Sequence, residues 1–379
     1  MGGATICRSD MNSSVKIEFP APKQKVRKKS LAGTPPMPKP IRYLHLIFLI
    51  SLALNGCGGS DSSETQVSGP SPTPVPTTQS FTLNFAPTAK GAPVNCSNIV
   101  SGLGPNESYS VNIVDWRFYV SELNFYDTAG NRLPVSLDNN SFQLNESAGS
   151  VALIDFTDRS TGLCSDAQEG TARTNTKITG TYTGDVADVS FRVGVPQALM
   201  KATIASTDDV NDAPSPLGEL YWSWASGYRH FVLNFAAMDS AHTDMVENSG
   251  FHIGSRDCGT QGGKALSDRE TCGLINNPEV YLPNFDLEDN LVTVDLAALL
   301  NHVKESDFLS DSWEDYGDDD SVCLDNRRNG NNCVTAQSFG IQCHSGATQA
   351  ACVSLFPNFG LNLTTGTADP ASNLVFGKQ

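Results

Sequence analysis

The feature that most constrains the fold of this chain is a series of short segments, rich in aromatic and β-branched residues, that are separated by turn residues. Alternation of apolar and polar residues in such segments is typical of half-buried strands. The segments cover residues 81–85, 116–126, 133–137, 151–156, 177–182, 186–193, 230–235, 251–253 and 279–282. Strands of this length and spacing predict a mainly β fold, an antiparallel β-sandwich or a barrel-like domain.

Two segments have a helical pattern, so we expect one or two short helices. The first follows Pro196 and covers residues 197–202. The second covers residues 294–302 after a candidate N-cap at Thr293. It would place four apolar side chains on one face, namely Leu296, Leu299, Leu300 and Val303.

The first 80 residues have the composition of an export signal and a tether. A basic region precedes the apolar run 43–54, which is too short for a permanent membrane helix. The sequence Leu-Asn-Gly-Cys that ends at Cys57 resembles the lipobox of bacterial lipoproteins, so we expect Cys57 to carry a lipid. A plain secretory signal is the alternative. Residues 60–80 are a Ser/Thr/Pro tether that cannot bury a core.

These observations predict four parts of the chain. They are a signal peptide (1–56), the lipidated cysteine with its tether (57–80), a β domain (81–305) and an acidic, cysteine-rich extension of that domain (306–379). A separate small domain is the alternative for the last part. Because Gly58 rather than aspartate follows Cys57, we expect an outer-membrane lipoprotein that faces the periplasm or the cell surface.

The charge of the mature chain argues against nucleic-acid binding. The whole chain has 25 Lys+Arg and 41 Asp+Glu, and residues 1–57 hold nine of the basic and two of the acidic groups. The remainder therefore has 16 basic and 39 acidic groups, a formal net charge of −23. Such a surface repels phosphates and suits cations or a basic partner protein.

Eight cysteines lie beyond Cys57, an even number that predicts disulfides in an exported chain. Three close pairs could each close a local loop, leaving Cys96 with Cys164, although sequence alone does not fix the connectivity. The close pairs are Cys258 with Cys272, Cys323 with Cys333, and Cys343 with Cys352. A thiolate metal site is the alternative, but the chain has no CxxC spacing. It also has no CxxCH motif for covalent haem.

An ordered set of motifs resembles a known family. The set begins with DWRFYVS (115–121), VALIDF (151–156) and VGVP (193–196), continues with APSPL (213–217), WSW and GYR (222–229), and ends with FHIGS (251–255) and VDL (294–296). Over residues 81–305 the chain is similar to the MbnP-like proteins, also called metallo-mystery pair four-Cys motif proteins.

The resemblance implies a periplasmic or surface protein that binds copper. It also implies a partner, a di-haem protein of the cytochrome c peroxidase/MauG kind, which oxidises a tryptophan of its companion to kynurenine. Trp222 or Trp224 would be the modified residue, and Tyr221 and Tyr228 would be hole carriers. Core packing of the two tryptophans is the alternative.

Candidate copper ligands follow from the resemblance and from ligand chemistry. The family has Asn-His a few residues after Gly-Val-Pro, whereas this chain has Met200-Lys201 there, so Met200 is a candidate thioether ligand. The other candidates are His252 in FHIGS, His230 in the aromatic segment, and Met238, His242 and Met245 in one loop. Each of these side chains could instead have a structural role.

Other functions have weaker support. The acidic run 311–320 could bind Ca²⁺, but it lacks EF-hand spacing, and a solvated loop is the better interpretation. We find no GxSxG, HExxH or phosphate-binding glycine loop, so we do not expect an enzyme. The alternative function is a metal-free surface adhesion or scaffold lipoprotein with the same fold.

Overall fold

The computed structural model describes residues 77–167, 173–207, 210–223, 227–240, 247–258, 271–310, 340–346 and 348–379. All described residues belong to one compact unit, Pro72–Gln379. The predicted signal peptide, Cys57 and nearly all of the tether lie outside the described residues. Within the described ranges, no helix is both long enough and apolar enough to span a bilayer.

The secondary structure of the described ranges is dominated by strands. These are β1 (Thr78–Ala89), β2 (Ala92–Pro93), β3 (Val100–Leu103), β4 (Tyr109–Tyr126), β5 (Arg132–Leu133), β6 (Val135–Leu137), β7 (Gln143–Glu146), β8 (Gly149–Asp155), β9 (Lys177–Thr183), β10 (Asp188–Val193), β11 (Tyr221–Ser223), β12 (Gly227–Asp239), β13 (Glu247–Gly254), β14 (Glu279–Leu282), β15 (Val292–Asp295), β16 (Gln342–Cys343), β17 (Phe359–Leu361), β18 (Ala368–Asn373) and β19 (Phe376–Lys378). The α-helices are α1 (Gln197–Ser206), α2 (Leu296–Leu299), α3 (Glu305–Ser310) and α4 (Ala350–Leu355).

Two mixed sheets form the body of the fold. The six-stranded sheet has the order β19-β15-β1-β9-β6, with β2 beside β1. The eleven-stranded sheet has the order β14-β10-β4-β12-β13-β16, and shorter strands pair with β4, β8 and β12. Most neighbours are antiparallel, whereas β1/β15 and β13/β16 are parallel pairs. In the described residues the sheets remain separate, so the predicted β-sandwich is confirmed and the barrel alternative is not.

The core lies between the two sheets. Alternate residues Phe81, Leu83 and Phe85 of β1 are buried, and the two phenylalanine rings contact rings of the larger sheet. Phe81 lies 5.0 Å from Phe125 and Phe85 lies 6.0 Å from Phe118, both edge to face. Each such side chain stabilises the fold by about 1.5–3 kcal/mol through burial. The alternation of apolar and polar residues in β1 therefore reflects burial of one face of the strand, as the sequence predicted.

The opposite face of the larger sheet carries a second apolar cluster. It contains Tyr119 of β4, Tyr228 and Val232 of β12, and Leu199 and Met200 of α1. Helix α1 follows its N-cap residue Pro196 and covers this face with its buried side chains Leu199, Met200 and Thr203. The larger sheet is thus covered on both faces near α1.

The predicted helices need correction. Helix α1 is confirmed and extends four residues further than predicted. The second helix is shorter than predicted, because Thr293 lies in β15 and Asp295 is the N-cap. The carboxylate of Asp295 accepts hydrogen bonds from the N–H groups of Ala297 (2.7 Å) and Ala298 (3.0 Å). Helices α3 and α4 were not predicted.

One predicted strand is in fact two. The segment 133–137 divides at Pro134, which has no N–H to donate to a ladder. Strand β5 pairs with β4 in the larger sheet, whereas β6 pairs with β9 in the smaller one. The proline therefore marks the point at which the chain changes sheets.

Three disulfides join the described residues. They are Cys96–Cys164, Cys258–Cys272 and Cys343–Cys352. Each matches one of the pairings that the cysteine spacing suggested. The fourth suggested pairing joins Cys323 and Cys333. Cys323 lies outside the described residues and so does Cys333, so a disulfide between them stays a prediction.

Candidate metal centre

The aromatic segment forms a hairpin at the edge of the larger sheet. Strand β11 pairs with the start of β12, with Tyr221 opposite Tyr228 and Ser223 opposite Gly227. Trp222 is only partly buried. Its ring lies directly against Gly254 of β13, where an added Cβ would come within 2.9 Å of Trp222 Cε3. Because Gly254 has no side chain, the indole of Trp222 can lie on this strand.

Tyrosine rings line the other side of the hairpin. Tyr228 is 5.6 Å from Tyr221 and 6.2 Å from Tyr119, edge to face in both cases. Burial raises the pKa of all three phenols, so they stay protonated at neutral pH. Tyr119 donates a hydrogen bond to the carbonyl of Pro216 (2.7 Å) and accepts one from the N–H of Leu220 (3.2 Å). This bonding connects the hairpin to the chain that leads into it.

Arg256 links Trp222 to the C-terminal part of the chain. Its guanidinium carbon lies 5.8 Å from the centre of the Trp222 ring, at the outer limit of a cation–π contact. Its Nη1 donates a hydrogen bond to the carbonyl of His344 (2.9 Å). The indole and the backbone of His344 are therefore held by the same side chain.

His252 and His344 form an imidazole pair on the outer face of the larger sheet. Their Nδ1 atoms are 3.0 Å apart and their ring centres are 4.7 Å apart. His252 alternates with Phe251 and Ile253, which point into the core. His252 therefore shares the face of Gly254, against which Trp222 lies. His344 directly follows β16, which is parallel to β13 with Cys343 opposite Phe251.

The far nitrogen of each imidazole is bound to an amide oxygen. Nε2 of His252 lies 2.8 Å from Oδ1 of Asn234, and Nε2 of His344 lies 3.3 Å from Oε1 of Gln342. Both amides converge over Gly250, where an added Cβ would be 3.2 Å from the Gln342 oxygen and 3.4 Å from the Asn234 oxygen. The pKa of His252 is well below its ordinary value, chiefly because of burial and then because of the charge on His344.

Buried charges lie beside this pair on the same face. The guanidinium of Arg117 binds both carboxylate oxygens of Asp115, at 2.7 and 2.5 Å. Thr157 donates a further hydrogen bond to Asp115 (2.9 Å). Asp155, opposite Arg117 in the ladder, has its pKa raised to about 7, mainly by burial. Asp115 and Arg117 are two residues apart in a strand, and this spacing in the sequence indicates that both side chains lie on the same face of the sheet.

His230 has a different environment. Its ring is fully buried, Nδ1 accepts a hydrogen bond from the N–H of Val195 (3.2 Å), and Nε2 lies 2.8 Å from Ser255 Oγ. Burial lowers its pKa to about 4. Since both ring nitrogens bind protein groups, this geometry favours a structural role for His230 over a metal ligand.

Comparison with known proteins identifies the family. The family model of MbnP matches residues 78–314, which is more than half of the chain. This chain belongs to the MbnP family. The match contains Trp222 and His252, whereas His344 lies beyond it.

A solved structure supports the same fold. MbnP from Methylosinus trichosporium is 21% identical, with a TM-score of 0.56, over 80% of this chain and 98% of that chain. At this identity the likeness shows the fold alone. A search of curated proteins found no match.

The remaining predicted residues of this MbnP family member are dispersed. Met200 lies against the hairpin, where its Sδ would be 2.4 Å from a Cβ at Gly227, and it receives a contact from Gln197 Nε2 (3.7 Å). Met238 of β12 is opposite Ser110 of β4. It lies six residues beyond Val232, which is the ladder partner of His252. That spacing corresponds to about 20 Å along the strand. Trp224, His242 and Met245 lie outside the described residues.

Sequence reasoning did not find His344. In the described part of this MbnP family member, no group of three or more His, Cys, Asp or Glu side chains is placed to hold a metal ion. The imidazole pair has only two such residues, and they are 92 positions apart. The sole local signal was a histidine directly after Cys343 in a segment with several disulfide cysteines.

Proposed function

We propose that this chain is a lipoprotein of the bacterial cell envelope that binds copper after a di-haem partner oxidises Trp222 to kynurenine. It would act as a binding protein and as the substrate of its partner, not as an enzyme. Membership of the MbnP family supports the proposal, and so do the lipobox-like sequence at Cys57 and the acidic surface.

The observation that carries the proposal is the position of Trp222. Its ring lies on Gly254, on the same face of β13 as His252 two residues away. The side chain is partly buried, so the rim of the indole is held in place while a partner can still approach. By contrast, Trp116 is buried in the core with its ring 5.5 Å from Phe156.

Oxidation at this position would change the donor chemistry beside His252. Kynurenine carries a ketone oxygen and an aromatic amine where tryptophan has only the indole N–H, which donates and cannot coordinate a metal. The oxidising equivalents would come from peroxide through the high-valent haem of the partner: opening of the indole ring adds two oxygen atoms, and hydrolysis then releases one ring carbon as formate. A tryptophan on the histidine face of the sheet is therefore where the modification would affect metal binding.

Peptide mapping by mass spectrometry of the mature protein, produced with its partner, tests the proposal. We expect the Trp222 peptide to show the mass change for the net replacement of one carbon atom by one oxygen atom. Trp116 serves as the internal control and should stay unmodified. An unmodified Trp222 in the presence of an active partner would contradict the proposal and favour the metal-free scaffold lipoprotein.

A further inference from the structure

A cleft with a volume of about 670 Å³ opens beside the first turn of α1. Its lining consists of residues 122–124 of β4, residues 132–135, residues 148–150 and residues 196–198. None of these residues belongs to the aromatic hairpin or to the imidazole pair. A cavity of this size is suited to an organic ligand rather than to a single ion.

The lining of the cleft combines apolar and polar side chains. Residues 133–135 (Leu-Pro-Val) supply apolar groups where the chain changes sheets, and Pro196 and Ala198 supply others at the start of α1. The charged groups of the lining are the carboxylate of Glu122 and the guanidinium of Arg132. Their formal charges cancel, so the cleft favours neither an anion nor a cation.

The cleft continues onto an exposed part of the larger sheet. In the ladders, Asn124 of β4 is opposite Ser190 of β10, and Ser190 is opposite Tyr281 of β14. These three side chains therefore lie on one face, with Tyr281 about 10 Å from Asn124. Tyr281 is 46% exposed, and its hydroxyl donates a hydrogen bond to Asp188 (2.5 Å). An exposed aromatic ring held in this way can stack against an apolar face of a ligand.

The polar side chains of the cleft hold one another in place. Arg132 donates to Oδ1 of Asn124, and Nδ2 of Asn124 donates to the carbonyl of Glu122 (2.8 Å). The Glu122 carboxylate accepts from Arg192 (3.1 Å), which also binds Glu279 (2.8 Å). A guanidinium has five N–H donors and a carboxylate about four acceptor positions, so Arg132 and Glu122 keep capacity for a ligand. Groups ordered in advance lose less entropy on binding.

We propose that this cleft and the adjoining face around Tyr281 bind a neutral oligosaccharide. A sugar ring has apolar C–H faces and a rim of hydroxyls that both donate and accept hydrogen bonds. It therefore fits a site with apolar walls, an exposed tyrosine, and a donor and an acceptor whose charges cancel. The strongly acidic mature chain would repel an anionic polymer. This site goes beyond the proposed function, because it needs neither copper nor the partner.

Isothermal titration calorimetry of the mature chain with cellotetraose and with chitotetraose tests the assignment. The variants are Arg132→Ala, which removes the charged donor, and Tyr281→Ala, which removes the stacking ring. The matched control is Val353→Ala, which shortens another exposed side chain (56%), in α4. We expect Arg132→Ala to weaken binding by at least about ten-fold and Tyr281→Ala by about two- to ten-fold. The control should keep its affinity.

The two sugars distinguish the sources of such a ligand. A preference for chitotetraose would support a glycan with acetamido groups, as in cell walls, and a preference for cellotetraose would support a plain hexose polymer. A mature chain that binds neither sugar at millimolar concentration would overturn the proposal. Binding that both variants leave unchanged would overturn it as well.

A second measurement does not depend on the folding of the variants. In NMR of the unsubstituted protein, we expect nuclear Overhauser effects between the ring protons of Tyr281 and the C–H protons of the bound sugar. Effects that involve only residues outside the cleft and its adjoining face would overturn the assignment.

Discussion

At the scale of single residues, glycines decide where the aromatic and imidazole rings lie. Gly254 accommodates the Trp222 ring, and Gly194 accommodates His230, whose Nδ1 would be 2.6 Å from an added Cβ. Gly194 has a φ of +130°, a conformation that other residues rarely adopt. The motifs VGVP and FHIGS therefore each provide a glycine that makes room for a ring from the aromatic segment.

Asp155→Asn tests the electrostatics of the buried charges at this scale. The pKa of Asp155 is about 7 in the folded chain, above its ordinary value of 3.8. The folded state therefore binds the proton more tightly, and this contribution to stability is lost as the pH rises from about 4 to about 7. We expect the variant to be more stable than the wild type at pH 8 by up to about 4 kcal/mol, and nearly equal at pH 4.

Urea unfolding at the two pH values measures this difference. Thr157→Ser, which keeps the hydroxyl that binds Asp115, is the matched control and should show the same pH dependence as the wild type. An Asp155→Asn gain that is independent of pH would mean that Asp155 is ionised throughout.

At the scale of elements, β16 connects the imidazole pair to a disulfide. This strand has two residues, Gln342 and Cys343, and is the edge of the larger sheet. The disulfide to Cys352 in α4 closes a loop of nine residues. Without this disulfide, the short pairing of β16 with β13 would be only weakly stabilised.

Replacing both cysteines of this pair by serine tests that dependence. Loss of this short cross-link should cost about 2–3 kcal/mol, and we expect the contact between the His252 and His344 imidazoles to be lost because His344 is released. The matched control replaces Cys96 and Cys164, whose separation of 68 residues predicts a larger loss of about 4 kcal/mol. The more destabilised variant should keep the imidazole contact, as thermal unfolding and NMR of ¹⁵N-labelled histidine would show. Loss of the contact in the Cys96/Cys164 variant alone would contradict this account.

Elements with a repeating pattern were predictable from sequence, and those fixed by distant contacts were not. Strand β14 was found with its observed bounds, since apolar and polar residues alternate in Glu279–Leu282. Strands β16 and β17 have two and three residues, too few for a period to be seen. The His252–His344 contact could not be predicted either, because no local spacing encodes a ladder between residues 92 positions apart. His252 could be predicted only because it lies within a family motif.

At the scale of the whole molecule, the C-terminal residues complete both sheets. Strand β19 pairs with β15, and Phe376 lies 5.6 Å from both Phe118 and Phe191 in the core. Strand β16 extends the larger sheet beyond β13. The described residues beyond the family match are therefore built into the sandwich.

A chain that ends at residue 314, where the family match ends, tests this arrangement. Removal of Phe376 and β19 would expose the core rings and leave β15 as an unpaired edge. We expect this chain to aggregate or to lack a cooperative thermal transition in calorimetry, whereas residues 77–379 alone should unfold cooperatively. A soluble, cooperatively folded 1–314 chain would show that the C-terminal strands are dispensable.

The central claim is that this chain binds copper beside an oxidised Trp222, and copper analysis of the protein produced with the proposed di-haem partner tests it most directly. We predict equimolar copper in the wild type and none in Trp222→Phe, with equal thermal stability of the two metal-free proteins. A wild-type chain that carries kynurenine at Trp222 yet contains no copper would contradict the account.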